Sequence, residues 1–106
     1  MAVTVAEVYD SQEFVPEQNF GQLCGVFNVT LDASYPTGGE DLTETALGLP
    51  SGATVTAALA SATGGYVAHY DHANDKLIMY VSGGTEVSDT TDLSAVVVAI
   101  KVWYTR

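Results

Sequence analysis

The run from Leu93 to Tyr104 constrains the fold more than any other stretch. Val96, Val98, Ile100, Val102 and Tyr104 share one parity, while Lys101 and Trp103 lie on the other. β-Branched and aromatic residues at this density read as extended backbone, because they pack well on a pleated surface and lose side-chain freedom in a helix. A strand that is apolar on nearly both faces is expected either at the centre of a sheet or with its outer face covered by a partner. The chain is therefore read as a β protein, and the remaining segments are judged by whether they supply strands to pair with this one.

Residues 22 to 32 supply the clearest partner: Leu23, Phe27, Val29 and Leu31 share one parity and Asn28, Thr30 and Asp32 the other. That is the period of a half-buried strand. Cys24 lies in the same run and reads as a small hydrophobe; as the lone cysteine it forms no disulfide within the chain. Asn28-Val29-Thr30 matches a glycosylation triplet but reads as strand. Tyr66 to Tyr70 and Lys76 to Val81 flank Asp71-His72-Ala73-Asn74-Asp75, which suits a hairpin loop built on a type I turn. Residues 53 to 59 form a weaker strand, with Val55, Ala57 and Leu59 expected on one face, and residues 2 to 9 are β-prone. A short helical turn is expected over residues 42 to 47, capped by Asp41 with Glu44 as reciprocal partner and stopped by Gly48 and Pro50.

These segments predict an all-β domain: a small antiparallel β-sandwich or compact, jelly-roll-like barrel with one short helical turn. At 106 residues the chain has room for one core. Residues 1 to 20 are expected as an extended N-terminal arm or edge strand, and residues 21 to 106 as a single β domain.

Thirteen acidic residues against three basic ones give a formal charge of -10. Such a field repels phosphate backbones and anionic lipid, so neither nucleic acid nor membrane is expected as a partner. The first residues lack the basic and apolar regions of a secretory leader, and no apolar run approaches membrane-spanning length. A basic protein surface is the more natural partner.

The polar clusters of a kind that carries chemistry elsewhere all find structural work. His69, Asp71, His72 and Asp75 match no closed zinc pattern, and the aspartates read as turn formers. Glu40 with Asp41, and Asp89 with Asp92, are acidic pairs set among loop residues, where capping and solvated carboxylates are common. No serine sits in a nucleophile elbow, the glycine pairs lack a phosphate-cradling pattern, and no calcium-loop motif occurs. Catalytic, cofactor-binding and metal-binding residues are therefore all expected to be absent.

Several of these stretches resemble the small capsid decoration, or cement, and head structural proteins of tailed bacteriophages. They are Phe27 through Glu40, followed by Asp41-Leu42 and Ala46-Leu47-Gly48-Leu49; Gly64-Gly65-Tyr66-Val67 through Tyr70-Asp71 to Lys76-Leu77; and Gly83-Gly84 through Thr91-Asp92-Leu93-Ser94 into the last strand. The resemblance implies a virion component made in the host bacterial cytoplasm. It would bind the outer surface of the major capsid shell and stabilise it as a homo-oligomer, a trimer rather than a dimer. Phe14, Val15 and Phe20 are expected as anchors of the N-terminal arm, with Lys101, Trp103 and Tyr104 as further interface residues. The alternatives are a tail or fibre-associated virion protein, or a carbohydrate-binding β-sandwich using Tyr35, Tyr66 and Trp103 as a platform.

Overall fold

The computed structural model describes residues 3–10 and 23–105. In chain order the elements are β1 (Thr4–Asp10), β2 (Leu23–Thr30), β3 (Glu40–Asp41), α1 (Glu44–Leu47), β4 (Thr54–Ala62), β5 (Val67–Asp71), β6 (Lys76–Tyr80) and β7 (Val97–Thr105). They form two open antiparallel sheets, one ordered β1-β2-β7-β4 and the other β3-β6-β5. The small antiparallel sandwich expected from the periodicity is the architecture found, and neither sheet closes into a barrel.

β7 lies between β2 and β4, the central position that its two apolar faces require. Its pairing with β2 runs from Leu23 opposite Tyr104 to Thr30 opposite Val97. This register puts Phe27 beside Ile100 and Val29 beside Val98 on the inner face, where all four are fully buried. Tyr70, Leu77 and Met79 meet them from the second sheet, and Leu31, Leu42, Leu49, Val87 and Leu93 close the core from the connections. Each large apolar side chain buried here contributes about 1.5–3 kcal/mol relative to exposure.

Two local details depart from the expected pattern. The short helix is capped by Thr43, whose Oγ1 accepts a hydrogen bond from the Ala46 N–H at 3.1 Å. Asp41 instead belongs to β3, opposite Lys76, and forms an exposed ion pair with it. The stop is as expected: Gly48 sits at φ 114°, and a Cβ there would lie 3.3 Å from the Phe27 ring. A side chain would be both strained and crowded at that position.

The second departure is in β4, where a β-bulge at Thr56 breaks the alternation. Val55 pairs with Tyr104 and is buried, but Ala57 then pairs with Trp103 and Leu59 with Lys101. Ala57 and Leu59 consequently point to the outer face, and Ala58, Ala60 and Ala62 pack on the core in their place. One inserted residue reverses the parity of everything beyond it.

The first part of the predicted N-terminal segment is an edge strand: β1 pairs with β2 from Thr4 opposite Thr30 to Asp10 opposite Gly25. Phe14, Val15 and Phe20 lie outside the described residues.

Candidate functional site

β2, β4 and β7 together contain no acidic residue, and their one charge is Lys101. In a chain of formal charge -10 this is a marked segregation, with the carboxylates of the described residues lying in β1, β3, α1, β5 and the connections. On the outer face the strand registers align Val26, Lys101 and Leu59 in one row and Asn28, Ala99 and Ser61 in the next. Leu59 is 65% exposed, and together with Val26, Ala60, Ser61, Ala99 and Lys101 it lines a shallow, open depression of about 440 Å³. The Lys101 Nζ lies 5.0 Å from the centre of the Trp103 ring. The ammonium is thus held over an aromatic face, at a distance where the attraction is favourable.

Of the three interface residues expected in the last strand, Lys101 and Trp103 take this outer face, exposed and half-buried respectively. Tyr104 does not: it is fully buried among the core residues. It has the inward parity of Val98, Ile100 and Val102, so nothing outside the fold can reach it. Val26, Leu59 and Ala99 were not expected in a binding face. Val26 and Ala99 could have been found by following the outward parity of the two central strands, but Leu59 is placed there only by the bulge.

The aromatic platform does not form, because Tyr35 is fully buried and Tyr66 is half-buried against the core. The Tyr35 hydroxyl donates to a Glu86 carboxylate oxygen at 2.8 Å and accepts from the Met79 N–H at 3.1 Å. Burial, and then Glu86 beside it, hold the phenol above its ordinary range.

In the hairpin, Asp71 accepts hydrogen bonds from the N–H groups of Ala73 (3.2 Å) and Asn74 (3.3 Å) and from the Asn74 side chain (2.8 Å). Those bonds hold its carboxyl below the ordinary value. The aspartate is the turn former expected from the sequence.

The second feature of interest is a polar cleft of about 380 Å³ lined by Ser34, Pro36, Glu40, Asp41 and Asp89. Glu40 was expected to pair with Asp41 as a loop carboxylate. Instead it is 3% exposed and its side chain meets Asp32, which is 6% exposed. The Ser34 N–H donates to Asp32 Oδ1 at 3.0 Å, whereas the buried Asp32 Oδ2 and Glu40 Oε2 accept from no N–H or hydroxyl group, the two carboxyls being set against each other. Burial, followed by the hydrogen bond and charge of Asp32, pushes the Glu40 carboxyl up to about 7. Among the described residues, no three of His, Cys, Asp and Glu converge in a metal-binding group, and no helix is long and apolar enough to cross a membrane. No family model, curated protein or solved structure matches the chain.

Proposed function

We propose that the chain is a virion structural protein without catalytic function, a capsid decoration protein that lays the outer face of β2, β7 and β4 against the major capsid shell. The observation that carries this reading is the carboxylate-free, partly apolar face in a domain of net charge -10. A carboxylate desolvated at an interface without a partner costs several kcal/mol, so a face meant to be covered is best built without one. The charge on the rest of the molecule keeps the free domain soluble and orients it toward a basic surface.

The area of this face suits an oligomeric or armed binder. Three adjacent strands of this length present roughly 400 Å², from their rise and spacing. That is about half of the roughly 800 Å² per partner in a stable interface. The segment bearing Phe14, Val15 and Phe20, or several linked copies on a symmetric shell, would supply the remainder. A placement in the tail or a fibre would use the same face and differ in copy number. The burial of Tyr35 weighs against the carbohydrate alternative.

The test is co-sedimentation with shells of the encoding virus stripped of their outer proteins, using wild type, Leu59→Glu and Ala99→Glu. Both substituted positions are exposed, so folding should be retained, as a circular-dichroism melt will verify. Saturable binding at hundreds of copies per shell is expected for wild type, with at least about tenfold weaker binding for each variant. Undiminished binding of both variants, or recovery of the protein only in tails, would overturn the reading.

A further inference from the structure

We propose that Lys101 is a specificity-determining contact, which selects a shell surface presenting an aspartate or glutamate carboxylate framed by apolar side chains. The inference rests on the docking face described above. Lys101 is the single charge in β2, β4 and β7, and it stands at the middle of β7, itself the middle strand of the three. The strand registers set Val26 of β2 on one side of it and Leu59 of β4 on the other. Along β7 its neighbours of the same parity are Ala99 and Trp103. A partner seated on this face therefore covers an ammonium that has only uncharged side chains around it.

A charge covered in that position needs a match, because desolvating it without a partner is costly. The three strands offer no carboxylate of their own. The Trp103 ring, with its centre 5.0 Å from Nζ, holds the ammonium over the sheet. Lys101 is nevertheless exposed, so the ammonium has room for a second ligand. A wholly apolar shell patch would bury the charge against nothing, and a basic group directly opposite would repel it, so a carboxylate is the fitting partner. Long-range steering is a separate matter. The charge of -10 draws the domain toward a broadly basic region, whereas Lys101 reads one acidic group at the point of contact. A second copy of this chain also carries carboxylates, but it brings the same net negative charge and is repelled.

The experiment is binding to stripped shells of the encoding virus by wild type, Lys101→Met, Lys101→Arg, Lys101→Glu and Leu59→Glu. The wild-type complex is also treated with a carbodiimide, which joins an amine to a carboxylate in direct contact. Both substituted positions are exposed, and a circular-dichroism melt verifies that each variant folds. Lys101→Met keeps most of the stem and removes the charge. Its binding is expected to be at least about 30-fold weaker, through faster dissociation with association little changed. Lys101→Arg should stay within about tenfold of wild type, and Lys101→Glu should bind more weakly than Lys101→Met. The cross-link is expected between Lys101 and an aspartate or glutamate of the major shell protein. If Lys101→Met binds as tightly as wild type or more tightly, the ammonium has no carboxylate opposite it. A Lys101 cross-link only to a second copy of this chain would assign the carboxylate to self-association. Either result overturns the proposal, and weakened Leu59→Glu beside it would leave the docking face standing. Undiminished binding by all four variants would overturn the docking face and this proposal together.

Discussion

Tyr35 connects parts of the chain that are far apart in sequence. Its ring fills the core, while its hydroxyl joins Glu86 to the main chain of β6 through Met79. Glu86 also accepts from the Gly38 N–H at 2.7 Å, so one carboxylate ties two connections together. Replacing Tyr35 with Phe keeps the ring and strands the buried Met79 N–H. The expected cost is about 1–3 kcal/mol, read as a lower urea midpoint at unchanged slope. Tyr66→Phe, where no buried donor loses its partner, should leave the midpoint nearly unchanged. At this scale the sequence was legible where a side chain's parity decided its burial, as for Phe27, Val29 and Ile100. It was not legible for Tyr35 or Glu40, which lie outside any periodic run. Their burial depends on loops folding over them.

Among the elements, the two central strands declare themselves through period two, and β3 does not, because two residues carry no period. The helix was found from its stop signal more securely than from its start. Asp41, Leu42 and Thr43 precede it, and both Asp and Thr are good caps; pairing of Asp41 with Lys76 in β3 leaves the role to Thr43. Thr43→Ala should therefore cost about 1 kcal/mol in urea unfolding. Asp41→Ala should barely move the midpoint, because it removes only an exposed ion pair. If the two effects are reversed, the cap has been misplaced. The bulge in β4 has no counterpart in the pattern of ATVTAAL, since alanine suits either face equally well.

For the whole molecule, stability should fall as pH rises through neutrality. The Glu40 carboxyl is raised from 4.5 to about 7 in the fold, so its protonated form is the favoured native one. Its contribution is fully present below the unfolded value and is lost as pH climbs through the folded one. Asp41, Asp71 and Asp92 are held below their ordinary value, each chiefly by a side-chain hydrogen bond, from Lys76, Asn74 and Ser94 respectively. Their contribution has the opposite sign: it is present above the ordinary aspartate value and lost as pH falls through the lowered one. Together these place the optimum on the acid side of neutrality. Melts should show the midpoint declining between about pH 5 and pH 7. The decline should flatten in Glu40→Gln, and an equally steep decline in that variant would assign it to general charge repulsion instead.

By itself the sequence determined the β class, the central place of the last strand, the hairpin at Asp71 and the excess of negative charge. All of these are local properties, carried by side-chain period, turn chemistry or simple counting. Tertiary structure decided which face Leu59 occupies, that Tyr104 belongs to the core, and that Asp32 meets Glu40 in a buried contact. Each depends on register or on loop closure between segments distant in sequence. A single bulge or a folded-over connection changes that outcome without leaving a mark in the periodicity.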